Sequence, residues 1–271
     1  MGWPVGHSLS PRLHGYWLRH HAIDGAYVPL AVVPEGLATA LRALPALGFR
    51  GVNLTLPHKE QAVSIVDRTT LTARRIGAVN TVVVEEGGQL LGDNTDGFGF
   101  LASLSAGRPG WRADAGPAVL LGAGGAARAI AVSLLDQAVP ELRILNRSRN
   151  RAETLAAELG GRIRVEDWDA RHAALAGAAL LVNTTSLGMI GQPPLEIGLE
   201  AMPRDGVVVD AVYAPLETAL LAAARARGQP AVDGLGMLLH QARPGFRAWF
   251  GQEPEVTEEL RRVVLDGARG R

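Results

Sequence analysis

The sequence predicts an α/β protein of two domains. Short aliphatic runs alternate with amphipathic helical stretches along nearly all of its 271 residues, the signature of helices packed on mainly parallel sheets. A stretch rich in Gly, Pro and small residues, SAGRPGWRADAGP at 105–117, breaks the pattern, and a fresh strand–turn–helix, AVLLGAGGAARAIAVSLL, follows at once. The second domain is therefore expected at 98–237. The first is expected to be discontinuous, built from 1–97 and from a helical tail, 238–271, that returns to it.

In chain order, a first helix is expected to open at Ser10-Pro11, with Ser10 as N-cap and Pro11 at the first helical position, where its missing N–H costs nothing. Strands are expected at 26–33 (AYVPLAVV), 51–56 (GVNLTL) and 81–86 (TVVVEE), with helices between them and a mainly parallel sheet. Gly87-Gly88 between TVVVEE and QLLGDNT suggests a hairpin, so one pair here is expected to be antiparallel. In the second domain, beyond the strand that opens AVLLGAGGAARAIAVSLL, further strands are expected at 141–146, 180–185 and 206–213, with a short one near 230–233.

Composition excludes several classes of function. Lys plus Arg and Asp plus Glu number 27 each, so no overall field attracts nucleic acid or an anionic membrane. The absence of cysteine removes disulfides, thiolate nucleophiles and cysteine-ligated metals, and fits a reducing cytoplasm. No apolar run approaches the roughly 18 residues of a membrane span, and the N-terminal MGWPVGHSLSP has no signal-peptide pattern. The seven histidines form no ligand set. His20 and His21 would diverge by about 100° on a helix, and His58 beside Lys59 is expected to shape its loop. No metal is expected. Phe246 and Trp249 on the tail helix are expected to be packing residues.

Directly after a strand and opening a helix, Gly122, Gly124 and Ala127 form a G-x-G-x-x-G/A arrangement. Such glycines permit a tight turn, let backbone approach a pyrophosphate and let helix pack on strand, with the anion on the unpaired N–H groups of the helix start. Gly122, Ala123, Gly124, Gly125 and Ala126 are thus candidate cofactor contacts in a Rossmann-type doubly wound parallel sheet. The next strand ends in LNRSRNR, 145–151, where NAD-binding folds place an acid on the ribose 2′-hydroxyl. This segment holds no carboxylate and offers Asn146, Arg147, Ser148, Arg149 and Arg151. An exposed basic loop at a helix start opposes the helix dipole, whereas a 2′-phosphate suits arginines. NADP is expected over NAD.

Four polar clusters interrupt the apolar surroundings: HSLSP (7–11), NLTLPHK (53–59), GAVNT (77–81) and GDNTDGFG (92–99). Singly, each reads as a cap, turn or surface charge. Together with GAGGA (122–126), NRS (146–148), NTTSLGM (183–189), DAVY ending at Tyr213 and GLGMLLHQ (234–241), they make the chain resemble the shikimate dehydrogenases over nearly its whole length. Chains of that family begin with a short apolar strand running into the G-x-P-V that starts here at Gly2, so the resemblance implies a natural chain beginning a few residues upstream. Two further departures are Gly15, where His-Asn is common at His14-Gly15, and Leu71, where an acid is often found.

The resemblance implies reversible reduction of 3-dehydroshikimate to shikimate with NADPH, in aromatic amino acid (chorismate) biosynthesis. Lys59, coupled to Asp96, would handle the proton, a task suited to a lysine held by a carboxylate. Ser8 and Ser10, with Tyr213, suit the substrate carboxylate, and Thr55, Asn80, Asp96 and Gln241 suit its ring hydroxyls. Ala211 and Gly234 would join the cofactor contacts. A small-molecule substrate, a monomer or homodimer, and no nucleic-acid or membrane partner are expected. The alternatives are a quinate or aminoshikimate dehydrogenase and a non-catalytic dinucleotide sensor, which would need neither Lys59 nor Asp96.

Overall fold

The computed structural model describes residues 1–6 and 8–269, without the side chains of 267–269; His7 of the HSLSP motif lies outside the described residues. The chain divides into two compact units, Gly97–Met237, and Met1–Asp96 with Leu238–Arg271.

In Gly97–Met237 the strands β5 (Ala118–Leu121), β6 (Leu142–Leu145), β7 (Ile163–Glu166), β8 (Leu180–Asn183), β9 (Val207–Asp210) and β10 (Ala231–Val232) form one sheet in the order β10-β9-β8-β5-β6-β7. Every pairing in it is parallel. Renumbered within the unit, this is the doubly wound order 3-2-1-4-5-6 of dinucleotide-binding sheets, read from β7 to β10. The central strands AVLL, LLVN and VVVD are buried at all four positions, because a sheet covered on both faces turns alternate side chains into two different cores. Leu120, Ile144, Val182 and Val209 enter one core with Ile130 and Phe100. Val119, Leu121, Leu181 and Val208 enter the other with Leu220 and Leu221. The helices are α5 (Gly125–Asp136), α6 (Arg149–Leu159) and α7 (Ala219–Ala226), together with most of α4 (Asp96–Gly107) and the start of α8 (Gly234–Phe250).

In the other unit β1 (Gly51–Asn53), β2 (Arg68–Thr69), β3 (Thr81–Val84) and β4 (Leu90–Asp93) form a sheet ordered β1-β3-β4-β2. The β3–β4 hairpin turns at Gly87 and Gly88, both at positive φ. The sheet is mixed where a mainly parallel one was expected: β1–β3 and β3–β4 are antiparallel, and β2–β4 is parallel. β1 pairs with the hairpin, which reverses its direction relative to β3. Residues 26–33 do not form the expected strand. Their ladder is one parallel bridge, Ala31 to Gly2, flanked by Gly2 N–H to Leu30 O and Val32 N–H to Gly2 O. Pro29 has no N–H to offer, and much of the stretch is exposed.

The helices here are α1 (Ser10–His20), α2 (Leu37–Ala43), α3 (Leu71–Ile76), the body of α8, and α9 (Glu258–Arg269). Leu37, Leu41, Val52, Leu54, Val82 and Leu90 share a core. A second, aromatic cluster gathers His14, Trp17, Tyr27, Phe246 and Trp249. Phe246 and Trp249 are packing residues, as expected; both are buried, and the Trp249 indole donates to Val82 O at 3.1 Å.

Candidate active site

β1 delivers Asn53, and the chain then runs through Leu54 and Thr55 into a turn closed by His58 N–H on Thr55 O (2.9 Å). The His58 ring is buried and bonds through Nε2 to Val32 O (2.9 Å). Burial, opposed by that bond, pushes its pKa down. A neutral, anchored imidazole is what shapes this loop. Lys59 follows it, with its carbonyl held by Val79 N–H at 2.8 Å.

The Lys59 side chain reaches the carboxylate of Asp96, the first residue of α4, with Nζ 2.5 Å from Oδ2. The side chains are 16 % and 6 % exposed, so the bond is a charge-assisted contact largely withdrawn from water, of the kind that contributes more than a neutral one. The other oxygen, Oδ1, accepts from Asn80 Nδ2 at 2.8 Å. Asn94 Oδ1 accepts the Asp96 N–H at the start of the helix that presents the carboxylate. An acidic residue in the first turn is also favoured by the helix dipole.

Asn80 is the hub. Its amide nitrogen also lies 3.1 Å from Thr95 Oγ1 and 3.3 Å from Gln241 Oε1, while its Oδ1 accepts from Thr81 Oγ1 (2.9 Å) and Thr95 N–H (2.9 Å). Thr95 Oγ1 donates in turn to Gln241 O at 2.8 Å. Lys59, Asp96, Asn80 and Gln241, expected from sequence, are thus brought together. Thr81, Thr95 and Tyr27, which complete the polar network, were not singled out by the sequence. NTDG and GAVNT mark the two threonines only as members of motifs.

Ser8 and Ser10 are half-buried at the start of α1. The expected Ser10 cap is not found: the N-cap is Leu9, without a side-chain cap, and Ser8 Oγ accepts the Ser10 N–H at 3.3 Å. The helix begins one residue early because Pro11 is tolerated anywhere in a first turn that lacks N–H partners. Thr55 is exposed beside the turn, and Tyr213 follows β9 in the other unit, where burial raises its phenol pKa.

In the Rossmann-type unit, β5 runs into Gly122, whose N–H bonds to Leu145 O at 2.8 Å and whose φ is +114°. A β-carbon there would stand 2.5 Å from Thr184 Oγ1, so only glycine fits. Thr184 is itself tied to Leu121 O through its N–H and hydroxyl. This is the point between β5 and β8 where the strand order reverses, the binding position of such sheets. Ala123 and Gly124 follow, and Gly125 and Ala126 open α5, whose first N–H groups have no intrahelical partner. Ala211 and Gly234 are also brought together. The Ala211 N–H bonds to Asn183 O, and a β-carbon on Gly234 would collide with the Ala211 carbonyl.

After β6, Asn146 Nδ2 bonds to Ser148 O at 2.9 Å and shapes the loop. Arg149 is committed to Glu153 (2.7 Å) and Asp167 (2.5 Å). Arg147 and Arg151 are exposed, with no side-chain partner among the described residues. The glycine turn, the open helix start and two uncommitted guanidiniums fit a dinucleotide with an additional phosphate. Below the loops, Asp210 is fully buried and accepts from Asn183 Nδ2, Thr218 Oγ1 and Val212 N–H. Burial raises its pKa against the pull of those bonds. Among the described residues no group of His, Asp or Glu side chains is placed to hold a metal ion, and no helix is long and apolar enough to cross a membrane.

Residues 1–82 match the shikimate dehydrogenase substrate binding domain, 111–191 the shikimate / quinate 5-dehydrogenase domain, and 234–265 the shikimate 5′-dehydrogenase C-terminal domain. A shikimate dehydrogenase (NADP(+)) of Rhodospirillum rubrum is 62 % identical over 98 % of this chain and 95 % of its own. The chain belongs to the shikimate dehydrogenase family. Among solved structures it is similar to the Thermus thermophilus shikimate 5-dehydrogenase in complex with NADP(H) and shikimate. That match has 39 % identity and a TM-score of 0.85, over 99 % of this chain and 97 % of the other. It is also similar to a quinate dehydrogenase of Corynebacterium glutamicum in complex with NAD, at 31 % identity and TM-score 0.86, over 98 % and 96 % of the two chains.

Proposed function

We propose that this shikimate dehydrogenase family enzyme interconverts 3-dehydroshikimate and shikimate with NADP(H), in the synthesis of aromatic amino acids through chorismate. The observation that carries the reading is the Lys59–Asp96 pair, withdrawn from water and backed by Asn80. In the reduction direction, bound NADPH supplies the hydride taken up by the carbonyl carbon. Lys59 Nζ gives the carbonyl oxygen its proton, and the Asp96 carboxylate holds the ammonium in place and steadies its charge. In oxidation Lys59 takes the hydroxyl proton back. Ser8, Ser10 and Tyr213 bind the substrate carboxylate, and Thr55, Asn80 and Gln241 its ring hydroxyls. Gly122, Ala123, Gly124, Gly125, Ala126, Ala211 and Gly234 approach the cofactor backbone, while Asn146, Arg147, Ser148 and Arg151 take the adenosine 2′-phosphate.

Met1–Asp96 with Leu238–Arg271 would serve the substrate and Gly97–Met237 the cofactor. The enzyme would act in the cytoplasm as a monomer or homodimer, without nucleic acid or membrane. The likeness to a quinate dehydrogenase favours quinate as the second reading. Initial rates with shikimate and with quinate, each with NADP and with NAD, separate these. The proposal requires shikimate with NADP to give the highest kcat/KM. A quinate or NAD preference would replace it, and cofactor binding without any turnover would indicate a sensor.

A further inference from the structure

We infer that Tyr27 is a positioning residue for the Lys59–Asp96 pair, acting through a one-way relay of hydrogen bonds along Asn53, Thr81 and Asn80. The inference rests on the functional reading above for its kinetic consequence, and on geometry alone for the relay.

Each link donates in the same direction. The Tyr27 hydroxyl donates to Asn53 Oδ1 (2.8 Å), Asn53 Nδ2 to Thr81 Oγ1 (3.0 Å), Thr81 Oγ1 to Asn80 Oδ1 (2.9 Å), and Asn80 Nδ2 to Asp96 Oδ1 (2.8 Å). The chain ends on the carboxylate oxygen that Lys59 does not use. Reversing any link would set like atoms against each other. A flipped Asn53, for instance, would face its oxygen onto the Asn80 carbonyl, which Nδ2 now meets at 3.2 Å. Bonds aligned head to tail polarise one another, so the first donor bears on how firmly Asn80 holds Asp96.

Tyr27 is built to be that donor. Its ring is clamped flat on His14, with centroids 4.1 Å apart and planes 4° from parallel, and it tilts against Trp249 at 6.2 Å. Burial raises its phenol pKa, so the hydroxyl keeps its proton.

The packing of Tyr27 could alone explain its presence, and Tyr27→Phe separates the two roles because it keeps the ring and its stack on His14. The test is a cycle of Tyr27→Phe, Thr81→Val and the double variant in the shikimate assay. Each single change should lower kcat by about 3–10-fold, the worth of one neutral hydrogen bond, with the KM for NADP unchanged. The double variant should lose no more than about 2-fold beyond the weaker single, since both cut one chain. Multiplying losses, an unchanged kcat, or an effect confined to the KM for shikimate would overturn the relay. Hydrogen exchange of the Asn80 side-chain amide, followed by NMR, reads the same relay without turnover. It should speed up in Tyr27→Phe, and an unchanged rate there overturns the relay. A wild-type protein inactive on shikimate would strike the functional reading alone.

Discussion

Replacing Lys59 by Met removes the ammonium from a carboxylate that is 6 % exposed and leaves it with the Asn80 amide. Two separable losses follow. Without its proton donor, the reaction should slow by roughly 10²–10⁴-fold in kcat, or about 2.7–5.5 kcal/mol of transition-state stabilisation. Stability should also fall, because a buried charge stripped of its partner costs about 3–5 kcal/mol. Lys59 is itself 16 % exposed, so water can reach the position it leaves, and the lower end applies. A loss of ~3 kcal/mol corresponds to a melting point lower by roughly 6–12 °C. Asp96→Asn is different. It removes the charge but keeps an acceptor for the ammonium, which can also turn toward water, so activity should fall as far while stability drops by less than about 1 kcal/mol. The double variant should therefore melt above Lys59→Met, with activity within about 10-fold of the poorer single. Stopped-flow or steady-state kinetics and calorimetry on the four proteins measure both limbs. A Lys59→Met enzyme with near-normal kcat, or a double variant that fails to recover stability, would refute the reasoning.

Arg147→Ala should weaken NADPH binding by about 1–3 kcal/mol, a charge-assisted contact, and leave NADH binding unchanged; equal losses in fluorescence titrations would show that Arg147 does not read the phosphate. Ser8→Ala and Ser10→Ala should mainly raise the KM for shikimate, by removing contacts present in ground and transition states alike, with cofactor affinity constant; unaltered kinetics in both would return the serines to a structural role. His14 is buried without a partner for either ring nitrogen, and burial holds its pKa down to about 3. Above pH ~6.5 it is neutral folded or unfolded, but below that the unfolded chain binds a proton the folded one refuses. Stability should thus fall by about 1.4 kcal/mol per pH unit from this residue, or ~2 kcal/mol by pH 5. Urea unfolding at pH 7 and 5 should show that component missing in His14→Phe; an identical pH dependence in both proteins would mean that the ring is protonated when folded.

The central strands of the Rossmann-type sheet were legible because each opens with at least three apolar residues in a row and is buried on both faces. The edge strand β7 was not: IRVE carries two charges and is only partly buried, so its pairing comes from the sheet it joins. β2 is two residues long, too short for any periodicity. AYVPLAVV misled in the other direction, since β-propensity supplies no partner for an exposed segment with a proline. In the site, polar clusters ending apolar runs marked Lys59, Asp96 and Asn80, and the family resemblance of GLGMLLHQ added Gln241. Tyr27 lies within an apolar stretch that looks like core, and its hydroxyl acquires meaning through Asn53, a neighbour 26 residues away. The Ser10 cap was misread for a smaller reason: Pro11 fits the second position of the first turn as well as the first, so the helix takes in Ser10 and leaves Leu9 as an N-cap with no side-chain bond.

The two ends of the chain, Met1–Asp96 and Leu238–Arg271, make a single unit around an unbroken middle, and this orders events at the ribosome. Domains generally fold as units during synthesis, at roughly 5–20 residues per second. The first 96 residues therefore emerge without the indole that bonds to Val82 or the Glu255 carbonyl that accepts from Trp17. They wait through the 141 residues of Gly97–Met237, about 7–28 s at that rate, with the aromatic surface of α1 uncovered. The middle segment, continuous in sequence, can close its own sheet in the interval. Nascent Met1–Asp96 is thus the stretch on which a chaperone has most to act, until Trp249 and Glu255 have emerged to cover it.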